Sequence, residues 1–235
     1  MRKLLAAMGV VSVLLGLTGV ALAEEIGLAA PSSMIAIGAL LVLMVVLIIF
    51  SAKTVTWDAL MIAKAAVAIT LAYMLGFISV FRMPMGGSVH LVAMLPLILF
   101  SVAFGPLEGL LVGSVYGLLE LLIDPYVIHP LQLLVDYPMA YAAVALACAA
   151  KYIPVNARLK LPLAVLLGYF GRYIVAVLSG VVFFAEYAGD QGALVYSLIY
   201  NISYLGPEAL ACAVIALIPA VGRLPELIRN GFRKD

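Results

Sequence analysis

Charge is what this sequence has least of. Only 11% of its 235 residues are Asp, Glu, Lys or Arg, and 13 basic against 12 acidic side chains leave a formal net charge of +1. With no basic tract and no alternation of basic and aromatic residues, the chain lacks the electrostatic footprint of a nucleic-acid binder. Histidine and cysteine are scarcer still, at 2 each. His90, His129, Cys148 and Cys212 share no metal-ligand spacing, and two histidines alone cannot make an HExxH-type centre. Neither a metal, a disulfide nor a cofactor is therefore expected. There is also no GxxxxGK[ST] phosphate loop, so ATP-driven work would need separate ATPase chains.

Hydrocarbon fills the space that charge leaves. Hydrophobic residues make up 66% of the chain, and the mean hydropathy is +1.23. A soluble domain so apolar would have too little polar material to cover its surface. The apolar segments run to about 20 residues, the length that crosses a hydrocarbon core roughly 30 Å thick, unlike the short alternating strands of a barrel. The expected fold class is an all-α polytopic membrane bundle.

Residues 1–23 open on Arg2 and Lys3, run through an apolar stretch and end Ala21-Leu22-Ala23. That is the layout of a signal peptide with a small-x-small cleavage site, or of an uncleaved first helix. Residues 24–58 hold a featureless helix at 34–52, expected to be an accessory span facing lipid, and a polar link with the single tryptophan, Trp57, as an interfacial anchor. The main membrane domain is expected over 59–222, with helices near 59–80, 90–104, 107–123, 131–150 and 161–184. A polar segment at 193–205 then leads through Gly206-Pro207 into a last span, and 223–235 reads as a basic tail. Ala59, Ala63, Ala66, Ala68, Ala72 and Gly76 put small side chains along the first of these helices, where another helix can approach closely.

The polar residues that do occur are concentrated. Asp124 to Tyr137, DPYVIHPLQLLVDY, holds two carboxylates, a histidine, a glutamine and two tyrosines. Polar groups at bilayer depth are costly and tend to be functional. Pro125, Pro130 and Pro138 break the helical pattern, so the stretch reads as a turn into a helix whose first turns carry Gln132 and Asp136. It is expected to form one wall of a pocket for a small polar molecule. Arg172, alone within a span, requires a carboxylate, for which Asp136, Glu120 and Glu208 are the candidates.

Orientation follows from the positive charges. With 24–33 outside, inner ends and loops hold Lys53, Lys64, Lys151, Arg158, Lys160, Arg223, Arg229, Arg233 and Lys234, and the outer loops only Arg82. The C-terminus then lies in the cytoplasm of a bacterial cell. His90, Tyr126, His129, Gln132, Asp136, Tyr137, Tyr196 and Asn201 fall at outer ends of helices, as suits capture of a nutrient from outside.

Four strings carry a family resemblance: GGSVHLVAMLPLIL (86–99), DPYVIHPLQLLVDYP (124–138), SGVVFFAEYA (179–188) and YSLIYNISYLGPE (196–208). In this order and spacing they resemble the thiamine-specific substrate-binding (S) subunits of energy-coupling factor (ECF) transporters, ThiT-like proteins, over roughly 59–221. The resemblance implies a six-helix S-component core with no enzymatic activity, capturing thiamine or a close analogue. It also implies partners: an ECF transmembrane coupling subunit, which the Ala68 and Ala72 face would meet, and two ATPase subunits. Asp136-Tyr137 match the family's acidic residue and tyrosine. The carboxylate would pair with the thiazolium and the aminopyrimidine, with Tyr196 and Asn201 on the pyrimidine edge and Tyr126 in the wall. Phe184 stands where some members have a stacking tryptophan, and Ala176 where the family often has a histidine. His90, His129 and Gln132 complete the candidate ligand-binding set. The competing readings are a solitary ion-coupled transporter of a cationic or heteroaromatic nutrient, using Asp136, Arg172 and Glu208, and an intramembrane enzyme using His129 or His90 with Asp136.

Overall fold

Residues 31–83, 87–90, 92–123 and 125–231 are described by the computed structural model of the chain. The expected signal peptide over 1–23, Gly86, Asp124, Arg233 and Lys234 lie outside them. Among the described residues, four helices are long and apolar enough to cross a membrane: α2 (Ala59–Gly76), α5 (Pro130–Tyr152), α6 (Ala157–Phe183) and α7 (Ala193–Ala216). They pack with α3 (Leu95–Phe104) and α4 (Pro106–Ile123), so six helices form the core, and α1 (Pro31–Thr54) joins from outside. Outward-facing large apolar side chains such as Val42, Val67, Leu122 and Leu210 form the surface that a bilayer would solvate. The chain is a multi-pass helical membrane protein.

Local chemistry sets most of the boundaries. Asp58 caps α2 by accepting the Met61 N–H at 2.7 Å. Gly105, at φ 140°, makes the turn that only glycine enters freely, and Pro106 starts α4 where a missing N–H costs nothing. Within α5 the chain is α-helical over Pro130–Leu134 and then widens into a π turn over Val135–Met139. Pro138 cannot donate to the carbonyl four residues back, and the Ala140 N–H reaches Val135 O, five back, instead.

Glycines let backbones meet. On α4, a Cβ at Gly113 or Gly117 would fall on the carbonyl oxygen of Tyr141 or Tyr137, so this face lies directly against the α5 backbone. A Cβ at Gly180 of α6 would collide with Ser197 of α7.

Several expectations need correction. The helix begun at 59 ends at Gly76, and the chain turns into a hairpin, β1 (Ser79–Arg82) antiparallel to β2 (Ser88–His90), with Ser79 opposite His90 and Arg82 opposite Ser88. His90 is therefore on a strand, and the next helix starts at Leu95. Residues 193–216 form one continuous helix through Pro207, because transmembrane helices tolerate proline where neighbouring groups re-satisfy the backbone. Ala68 and Ala72, expected on a partner-facing stripe, are 8% and 0% exposed and belong to the main core cluster. The close approach they permit is used inside this chain. Trp57 is half-buried against the same cluster. The tail folds as a helix over Leu224–Asn230 that packs on α3, with Lys64 Nζ donating to Arg229 O at 3.3 Å. Finally, α1 does not merely face lipid: one side seats against α4 and the π turn.

Candidate functional site

A cavity of about 110 Å³ opens where α5, α6, α7 and the hairpin converge. Its polar centre is Asp136, which the π turn presents beside Gln132 one turn earlier. Gln132 Nε2 donates to Asp136 Oδ2 at 2.6 Å and to Tyr126 O at 3.0 Å, while its Oε1 accepts the Ile128 N–H at 3.2 Å. The Tyr137 hydroxyl accepts the Tyr126 N–H at 2.7 Å. These bonds fold the proline-rich loop back over the cavity and fix Asp136 from one side. Ser179 of α6 is turned toward the same carboxylate.

The walls are aromatic. Tyr126 stacks with Phe184, with ring centroids 6.1 Å apart and planes 23° from parallel. On α7, Tyr196, Tyr200 and Tyr204 recur every fourth residue and so share a helix face. Tyr196 stacks on Tyr200 at 5.9 Å, and Tyr200 meets Tyr204 edge-on at 5.8 Å. The Gly87 N–H donates to Tyr200 Oη at 3.0 Å, tying the hairpin to this ladder. Asn201 is buried beneath it. Its Nδ2 donates to Ser197 O, Ser197 Oγ and Ala176 O at 2.9, 3.1 and 3.3 Å, and its Oδ1 accepts the Tyr204 hydroxyl at 2.8 Å.

Arg172 also reaches the cavity. Its guanidinium lies 4.1 Å over the Tyr141 ring and donates to Met94 Sδ at 3.0 Å. Among the described residues no carboxylate reaches it at ion-pair distance, so the pairing expected with Asp136, Glu120 or Glu208 is at most through space. Glu120 accepts the Tyr116 hydroxyl at 2.7 Å and lies 3.9 Å from His90 Nε2. Among the described lining residues, two carboxylates (Asp136, Glu120) stand against one guanidinium (Arg172). With both acids ionised, the cavity carries one surplus negative charge.

Of the residues singled out from sequence, Asp136, Tyr137, Tyr196, Asn201, Phe184, Tyr126 and Gln132 all line this cavity. The 140° or so that separates Tyr196 from Asn201 on a regular helix is bridged because Tyr200 and Tyr204 fill the arc between them. The two histidines stand behind the wall. His90 Nε2 is 2.6 Å from Ser88 Oγ in a hydrogen bond. His129 caps α5 by accepting the Leu131 N–H at Nδ1, 3.1 Å away, and stacks on Phe183. The sequence reading did not place Tyr200, Tyr204, Tyr141, Glu120, Ser179 and Ser197 in the cavity wall. The YxxxYxxxY spacing of α7 carried the signal for the first two.

Residues 62–227 match the family described as thiamine transporter protein, Thia_YuaJ. A relative named thiamine transporter ThiT, from Bacillus subtilis, is 36% identical over 144 residues, which is 57% of this chain and 74% of the relative. Another of that name, from Lacticaseibacillus paracasei, is 27% identical over 139 residues, 53% of this chain and 67% of the relative. The solved structure of ThiT from Listeria monocytogenes superposes with a TM-score of 0.55 over 72% of this chain and 96% of its own, at 22% identity, a likeness of fold.

Proposed function

The chain belongs to the Thia_YuaJ family of thiamine transporter proteins, and on that premise we propose that it captures thiamine at the cavity around Asp136. The observation that carries this reading is the charge of an aromatic-walled site: two carboxylates against one arginine. Thiamine brings one fixed positive charge on a flat heteroaromatic ring. The surplus carboxylate supplies the counter-charge, and the Tyr126–Phe184 stack supplies a face for a cation.

Asp136 pairs with the thiazolium and accepts from the aminopyrimidine, in a setting where scarce water strengthens both interactions. Tyr196 and Asn201 address the pyrimidine edge, Asn201 by giving up its longest contact, to Ala176 O at 3.3 Å. Tyr137 and Gln132 hold the loop and carboxylate in place, with His129 capping the helix beneath and His90 backing the hairpin. The chain binds and does not transform its ligand. Transport energy comes from two ATPase chains through an ECF coupling subunit, for which the lipid-exposed side of α2, with Ala63, Ala66 and Thr70, offers a flat face. The C-terminus lies on the cytoplasmic side, where the basic residues gather.

Calorimetric titration of the detergent-purified chain with thiamine tests the reading. Nanomolar binding is expected. Silence toward thiamine together with uptake that tracks an ion gradient would instead favour a solitary carrier.

A further inference from the structure

We infer that α1, the helix that precedes the family's shared core, is a positioning element of the binding site: through Leu41 and Met44 it holds the π turn that presents Asp136. The family match begins at residue 62, after α1 has ended at Thr54. Yet α1 is not loosely appended. Leu41 and Met44 are 7% and 9% exposed and form one cluster with Val135, Met139, Ala140, Ala142 and Val175. Ser51, fully buried, donates to Leu107 O at 2.8 Å and fixes the register of α1 against α4.

Val135 and Met139 are the first and last residues of the π turn, and both touch this cluster. Asp136 and Tyr137 lie between them. A π turn is a rare, wide conformation that persists only where its surroundings hold it. Here Gly117 of α4 lies against the Tyr137 carbonyl while α1 packs on Val135 and Met139. Without α1, lipid chains would cover the same two side chains. Lipid is as apolar as leucine, so the loss would fall on packing geometry more than on burial energy. Placement of a binding carboxylate to within about 0.5 Å is what such packing supplies.

The inference rests on the thiamine-capture reading for its functional half, so its test has two readouts on the full-length purified chain. The variants are Met44→Ala, Leu41→Ala combined with Met44→Ala, Met44→Leu, and the lipid-side control Val46→Ala. The first readout, amide hydrogen exchange without ligand, is expected to quicken across Val135–Met139 in the alanine variants, with α3 and the Val46→Ala protein unchanged. Uniform quickening, or none, overturns the positioning role whether or not thiamine binds. The second readout is thiamine affinity. The double alanine variant is expected to bind about tenfold more weakly, and Met44→Leu to recover most of the loss of Met44→Ala. Combined with Asp136→Asn, the losses should be less than additive, because a misplaced carboxylate has less to lose. Full additivity overturns the link to Asp136. Failure of the unmodified chain to bind thiamine sinks the capture reading, while exchange still decides whether α1 holds the turn.

Discussion

Gln132 donates to Asp136 at 2.6 Å from one helical turn earlier, so the cavity's central carboxylate is aimed by a neighbour on its own helix. That amide spends its second hydrogen on Tyr126 O. It thus joins the loop over the cavity to the acid that lines it.

Asp136→Asn keeps the shape and removes the charge. Thiamine affinity is expected to fall more than about tenfold, or over ~1.4 kcal/mol, in calorimetry, while the neutral pyrimidine fragment loses less. Equal losses for both ligands would mean that the carboxylate's charge is not what thiamine reads.

Gly117→Ala would set a methyl group on the Tyr137 carbonyl. A cost of roughly 1–3 kcal/mol is expected for such overpacking, seen as a lower thermal midpoint together with weaker thiamine binding. Gly38→Ala on α1, where nothing lies within 4 Å of the new atom, should leave both unchanged.

The alanines of α2 fall on two sides. Ala66→Trp, on the exposed face, is expected to abolish ATP-dependent uptake while purified protein still binds thiamine. Ala72→Trp, at 0% exposure, should instead prevent folding, read as loss of monodisperse protein. Normal uptake by the Ala66 variant would remove that face from the coupling interface.

Phe184→Trp should tighten thiamine binding, since indole is the better cation–π face. It would also install a reporter, because the only native tryptophan, Trp57, does not line the cavity. Fluorescence quenching by thiamine is expected in this variant and not in the parent protein.

Much of this was legible beforehand because cost is legible. A carboxylate, an asparagine and a row of tyrosines stand out against hydrocarbon, and Asp136, Tyr196 and Asn201 do reach one cavity. Orientation about a helix axis was harder to read. When every face is apolar, small-residue spacing says that something comes close without saying what, and so Ala68 and Ala72 turned out to face inward. The hairpin was hidden because β1, of 4 residues, follows closely on the apolar run of α2, and β2, of 3 residues, leads straight into the apolar start of α3. Pro207 read as a boundary because soluble helices stop there, whereas α7 runs on through it.

The π turn also acts as a phase shifter. Gln132 and Tyr141 are nine positions apart in sequence, which on an unbroken α-helix would place them about 180° apart. A π turn absorbs about one extra residue, which cuts that angle to about 80°, and both side chains reach the same cavity. The helix is thus read out of step on purpose at Val135–Met139. Forcing an ordinary α-helix there without changing its length would swing half the binding surface away from the other half, whereas removing one residue would keep Gln132 and Tyr141 about 80° apart. Length and conformation at this turn therefore have to match, and it is their match that keeps both halves of the cavity wall in register.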